Sequence, residues 1–261
     1  MNKVACGIPS LDMIFNGGVR KGSLILLLGE VGSGHYEFAY TSMIALSNQK
    51  KNVCYISMTR SRDDILDEVR TSFANLEPGD IEIRDISESY FRRSQIPLSW
   101  ITDNNDHTLN LLKDAGRDRE LLKEIVECLD EKNVSERLVI IDSLTSLLRA
   151  YSDASDWGEF IKFLQGLQRV SKRWGGLVYL MLTSNIFEKA LEEEVADVVD
   201  GVLSFRWSDT RSGARNRLMS INKFRGELSR LDEEDIVNFE VNISPYDGLS
   251  LIPIRQILGK G

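Results

Sequence analysis

Cysteine and histidine are scarce in this chain: its 261 residues include three of the first and two of the second. Cys6, Cys54 and Cys128 lie far apart without a C-x-x-C spacing, and His35 and His107 complete no recognised zinc pattern with them. A zinc ribbon and a disulfide framework are therefore excluded, and a reducing cytoplasm is the expected setting. Proline is also rare, at 5 residues, and glycine is ordinary at 19, which argues against a linker-rich or fibrous chain. No apolar run approaches the ~20 residues needed to cross a bilayer, and the first thirty residues lack a basic segment followed by a long apolar one. No membrane association is expected. Basic residues are in deficit, 32 against 40 acidic, giving a formal net charge of −8. That is the wrong sign for a bulk phosphate-backbone binder, so nucleic acid is not an expected partner.

What is present is an ordinary globular composition, 42% apolar and 28% charged, on a length able to bury a core. Short apolar runs alternate with amphipathic stretches, the pattern of a mostly parallel sheet with helices on both faces. Strands are expected at Ser23 to Leu28, Asn52 to Ser57, Arg137 to Asp142, Leu177 to Thr183 and Gly201 to Phe205. Helical stripes run through Ile65, Leu66, Val69 and Phe73 behind a Ser61/Asp64 capping box, and through Leu121, Leu122, Ile125, Val126 and Leu129. A longer helix is expected from near Asp156, with Glu159 as capping partner, to Trp174 before Gly175 and Gly176. Antiparallel strands at Leu218 to Lys223, Asn238 to Ile243 and Leu249 to Ile252 follow, with turns at Asp232 to Asp235 and Pro245 to Gly248. They read as additions to one edge of the same sheet, making residues 1–261 a single α/β domain. The stretch 88–118, with Pro97 and the polar run Asp103 to His107, is the least regular.

The informative local feature is GEVGSGHY, Gly29 to Tyr36, between the strand SLILLL and a stretch whose Ala39, Met43 and Leu46 fit a helix face. Strand, glycine loop and helix in that order form a P-loop context, in which backbone amides at a helix N-terminus point at phosphate oxygens. Gly29, Gly32 and Gly34 stand where tight turns are needed, with Ser33 between the last two. The pattern GxxxxGK[ST] then requires a lysine for the outer phosphates and a small hydroxyl for Mg²⁺. Here His35 and Tyr36 take those places. Imidazole, with a reference pKa of ~6.5, is mostly neutral at pH 7, and the phenol oxygen lies too far from the backbone to hold the metal at the same point. Without lysine and metal, most of the transition-state stabilisation available to phosphoryl transfer is lost. A packing turn, a loop that still holds phosphate weakly, and an ATPase with substituted groups all remain open at this point.

The chain resembles the KaiC-like branch of the RecA superfamily of P-loop ATPases from about Ala5 to Ile254. The entry segment GIPSLDMIFNGGVRKGSLILLLGE carries Gly7, Ile8, Leu11, Asp12, Gly17, Gly18 and Gly22 in the family's arrangement. LVIIDS resembles the Walker B strand, which gives Asp142 the place of the aspartate that orients the water shell of Mg²⁺; capping of the next helix, from near Ser143, is its alternative. YISMTRSRDD resembles the segment holding the family's catalytic carboxylates, but Thr59 and Arg60 occupy those positions, and Asp63 and Asp64 fall a turn later. INKFRGE resembles the Lys-x-Arg-Gly motif whose cations reach a neighbour's nucleotide; here these are Lys223 and Arg225, before Gly226. Solvation on an edge strand is the plainer reading of that pair.

Three catalytic elements thus depart from the active pattern. The resemblance implies an inactivated, archaeal-type member acting in signal transduction, by regulating or scaffolding a protein partner, as a homo-oligomer or a mixed oligomer with active relatives. The residues demand no cofactor; ATP or ADP is what such a loop would take. The competing expectations are a slow ATPase using His35 and Arg60 as replacement cations, and a DNA recombination accessory.

Overall fold

The computed structural model describes residues 2–92, 94–101, 121–130, 136–209, 213, 215–227 and 238–254. A small antiparallel pair, β1 (Lys3–Val4) and β2 (Val19–Arg20), brackets helix α1 (Pro9–Ile14). Nine further strands form one sheet: β3 (Ser23–Gly29), β4 (Val53–Ser57), β5 (Glu82–Asp85), β6 (Leu138–Asp142), β7 (Leu177–Thr183), β8 (Gly201–Asp209), β9 (Arg215–Phe224), β10 (Asn238–Ser244) and β11 (Gly248–Pro253). Their order is β11-β10-β9-β8-β3-β7-β6-β4-β5. The six strands from β8 to β5 are parallel, and β9, β10 and β11 continue the β8 edge antiparallel, as the sequence pattern predicts.

The helices are α2 (His35–Asn48), α3 (Arg62–Ser72), α4 (Ser87–Phe91), α5 (Leu121–Leu129), α6 (Leu144–Tyr151), α7 (Ala154–Trp174) and α8 (Lys189–Val198). Strand side chains alternate between two apolar cores. Ile25 and Leu27 pack with Phe38, Met43 and Tyr179 on one face; Leu24 and Leu26 pack with Ile141, Leu147, Phe160 and Leu164 on the other. Each such side chain contributes about 1.5–3 kcal/mol of burial, which is why the central strands read as unbroken apolar runs.

The α3 capping box forms as expected: Ser61 Oγ accepts from the Asp64 amide and the Asp64 carboxylate accepts from the Ser61 amide. The long helix differs from expectation. It begins at Ala154, and Asp153 stands at its N-cap with no side-chain bond. Glu159, one turn inside, pairs with Lys162 at 2.7 Å instead of capping. Gly175, at φ +71, ends that helix as predicted. β5 and α8 are among the elements that escape the periodicity argument. β5 is a short, half-buried edge strand, and α8 carries three consecutive glutamates and buries only Val195 among its side chains. Within the irregular stretch, α4 and a 3₁₀ turn at Leu98–Trp100 are described; the run Asp103 to His107 and the turn Asp232 to Asp235 lie outside the described residues. Among the described residues, no helix is long and apolar enough to cross a membrane.

Candidate functional site

The glycine loop leaves β3 at Gly29 and enters α2 at His35, with Gly32 at φ +73 and Gly34 at φ +109. Those left-handed conformations are what the glycines supply. Inside the loop the Ser33 amide and hydroxyl both donate to the Glu30 carbonyl, at 3.0 and 2.7 Å. From outside, β8 and β9 hold it: the Trp207 amide donates to the Glu30 carboxylate at 2.9 Å and its indole N–H to the Val31 carbonyl at 3.1 Å. Arg217 Nε donates to the Gly32 carbonyl at 2.9 Å. The guanidinium groups of Arg215 and Arg217 lie 4.9 and 4.5 Å from the Trp207 ring, within cation–π range.

His35 does not face a phosphate position. Its side chain is buried and folds back against Gly29, so close that a Cβ on Gly29 would stand 2.2 Å from Nδ1. Neither ring nitrogen has a hydrogen-bond partner among the described residues. Burial pulls its pKa down to about 4, against a weaker upward pull from Asp142, so the ring is neutral at pH 7. So placed, His35 packs beneath the loop and brings no positive charge to it. Gly29→Ala, by forcing the buried ring aside, is expected to lower stability by about 1–3 kcal/mol, measured as a shift in the urea midpoint at unchanged m-value.

Tyr36 turns the other way, and its hydroxyl donates to Asp142 Oδ1 at 3.0 Å. Asp142 ends β6 with only 3% of its surface exposed. Its Oδ2 accepts from Tyr55 Oη at 2.7 Å and from Arg60 Nη2. Arg60 follows β4 in a tight turn, in which its amide donates to Ser57 Oγ and its carbonyl accepts from the same hydroxyl. The Arg60 guanidinium also donates to Tyr40 Oη at 2.8 Å, to Tyr55 Oη at 2.9 Å and to Glu68 of α3, and it sits 5.3 Å from the Tyr36 ring. Burial, reinforced by Asp142, pushes the Tyr36 and Tyr55 phenols well above their ordinary range. Those hydroxyls keep their protons and act as donors. The result is a closed polar network of two carboxylates, one guanidinium and three phenols.

This arrangement corrects the capping alternative for Asp142. Ser143 is the N-cap of α6, its hydroxyl accepting from the Ser146 amide at 3.3 Å, while Asp142 points into the network. The donor set also does not fit a divalent cation. Both oxygens of Asp142 are engaged, the hydroxyl beside them is a phenol bonded to the same carboxylate, and Arg60 brings a fixed positive charge to that point. Among the described residues, no group of three or more His, Cys, Asp or Glu side chains is placed to hold a metal. Thr59 is exposed, and Asp63 and Asp64 belong to the first turn of α3.

Lys223 and Arg225 lie elsewhere. Lys223 Nζ donates to the carbonyls of Ala196 and Asp197, at 2.8 and 2.7 Å, and Arg225 Nη2 donates to the Asp197 carbonyl. These are last-turn carbonyls of α8, where a helix favours cations. Lys223 also lines a cleft of about 790 Å³ with Glu30, Ser184 and Asn222. Within one chain, then, the structure joins Tyr36 to Asp142, sets His35 beneath the loop, and leaves Lys223 and Arg225 bonded to the last carbonyls of α8. Tyr40, Tyr55, Glu68, Trp207 and Arg217 were not predicted as site residues.

The entry segment, glycine loop and sheet order together point to one family, and residues 4–253 match the family described as the KaiC ATPase. The chain belongs to the KaiC family of ATPases. Its fold is similar to that of a KaiC-like protein, PH0186, from the hyperthermophilic archaeon Pyrococcus horikoshii OT3, at 19% identity and TM-score 0.62, covering 96% of this chain and 99% of that one. It is also similar to the flagellar accessory protein FlaH of Methanocaldococcus jannaschii, at 15% identity and TM-score 0.64, covering 94% and 96%. At those identities the likeness concerns the fold alone. No curated protein sequence matches the chain. The loop of this KaiC-family chain occupies the strand-to-helix position of a P-loop, with His35 buried beneath it and Tyr36 bonded to Asp142.

Proposed function

We propose that this chain is a non-catalytic KaiC-family domain that works by binding, as a regulatory or scaffolding subunit in signal transduction. The observation that carries the reading is the Arg60–Asp142 ion pair. A protein cation sits on the carboxylate that would orient a metal's water shell, and Tyr36 bonds its other oxygen. No free carboxylate is left in the network to activate water: Glu68 is bound to Arg60 and Tyr40. The loop turn and the N-terminus of α2 remain, so any ATP or ADP would be held through backbone amides, weakly and without metal. The whole chain, residues 1–261, acts as one domain in this reading. Lys223 and Arg225 would contribute to a neighbour's nucleotide only by leaving the α8 carbonyls, as part of a mixed or self-assembled oligomer.

Calorimetric titration of ATP and ADP, with and without Mg²⁺, tests the proposal. The wild type is expected to show weak or no binding, unchanged by the metal, and no ATP turnover. The combined variant His35→Lys, Tyr36→Thr, Arg60→Glu is expected to gain Mg²⁺-dependent binding. Wild-type binding that tightens with Mg²⁺, or turnover abolished by Asp142→Asn, would return the chain to the active ATPases.

A further inference from the structure

The end of the sheet opposite the glycine loop holds a charged group that the reading above does not use. β4, β5 and β6 begin there, since they run in the same direction as β3, and α2 ends there. Arg137 immediately precedes β6, with its side chain 4% exposed. Nη1 reaches Glu82 Oε2 at 3.3 Å, longer than the ~2.7–2.9 Å of a good charge-assisted bond. The other carboxylate oxygen of Glu82 accepts from Arg84. Nε and Nη2 of Arg137 are buried with no hydrogen-bond partner among the described residues. A buried guanidinium compensated at one nitrogen only is costly unless something else meets its remaining edge.

Arg137 lines a cavity of about 550 Å³ with Lys50, Lys51, Asn52 and Asp80. The two lysines are set by the turn that ends α2: the Lys50 amide donates to the Ser47 carbonyl and the Lys51 amide to the Leu46 carbonyl, with Lys50 itself at φ +58. Three cations thus gather where two carboxylates, Asp80 and Glu82, offset them in part. The unpaired edge of Arg137, Nε with Nη2, is the side-on face of a guanidinium, which can donate to two oxygens of one planar or tetrahedral anion.

We propose that this cavity binds a small oxyanion that presents two oxygens to Arg137, a phosphate or a carboxylate, with Lys50 and Lys51 neutralising the remaining charge. Because Nε and Nη2 are withheld from solvent, the entering anion turns the guanidinium off Glu82 and into the cavity. The site is independent of the glycine loop, which lies at the opposite ends of the parallel strands.

The test is calorimetric titration of sodium phosphate, and separately of sodium succinate, into the full chain at fixed ionic strength. One saturable site is expected for at least one of them; phosphate alone identifies a phosphate site, succinate alone a carboxylate site, and both a general oxyanion site. Lys51→Ala, an exposed change that spares the fold, and Arg137→Lys, which keeps the charge but loses the two-pronged edge, are each expected to weaken binding about tenfold or more. Val31→Glu, which places a carboxylate on the exposed tip of the glycine loop, is expected to leave it unchanged. The proposal fails if neither anion gives saturable heat, if both basic-site variants bind like wild type, or if Val31→Glu abolishes binding.

Discussion

Arg60→Ala is expected to lower the unfolding free energy by about 3 kcal/mol or more, the scale for removing one partner of a buried pair. Asp142 is 3% exposed and Arg60 supplies its counter-charge. Without the guanidinium, the carboxylate keeps only two phenols, Tyr36 and Tyr55, and Glu68 loses its ion-pair partner. Arg60 is partly exposed, so water entering the gap offsets some of the loss. A urea titration of Arg60→Ala, Asp142→Asn and the double variant separates the effects. The double variant is expected to be more stable than the sum of the single losses implies, because the second change removes the stranded charge. Simple additivity would mean that the two side chains are not coupled, and would take away the observation on which the proposed loss of catalysis rests.

Acidification from pH 6.5 to pH 4 is expected to cost about 3 kcal/mol through His35 alone, from a folded pKa of about 4 against the reference 6.5. The sign follows from proton counting. Between those values the unfolded chain binds a proton at this ring and the folded chain does not, so stability falls as pH falls and is fully present above 6.5. Below about pH 4 both states are protonated and the slope from this residue ends. His35→Phe should remove that slope. At pH 7 the same variant should be neutral or stabilising, since it eliminates two buried ring nitrogens that have no partner among the described residues. Denaturant melts at a series of pH values provide the check; a wild type and His35→Phe with parallel pH profiles would place the ring in a wetter, bonded setting.

The glycine loop was legible in the sequence because its strand, turns and helix are contiguous, and local spacing suffices to recognise them. The replacements at His35, Tyr36 and Arg60 were legible for the same reason. What they do was not. Arg60 reads from its chemistry as an anion partner, and the anions it meets are Asp142 and Glu68 of its own chain. Its partner Asp142 is 82 residues away, and only the adjacency of β4 and β6 in the sheet brings them together. Trp207 and Arg217 reach the loop from 176 and 185 residues away because β8 pairs with β3 and β9 with β8. No periodicity argument carries that information. The cap of α7 was misplaced for the opposite reason: Asp153 and Asp156 both suit a helix start, and the backbone chose the earlier one.

A counter-ion that is part of the polypeptide cannot dissociate. A chelator cannot strip Arg60 from Asp142, whose two oxygens are both engaged by side chains of the same polypeptide. On the proposed reading, the electrostatic balance of this corner is set at folding and is expected to stay the same whatever the supply of free magnesium, a constant of the molecule where a bound metal would make it a variable of the surroundings.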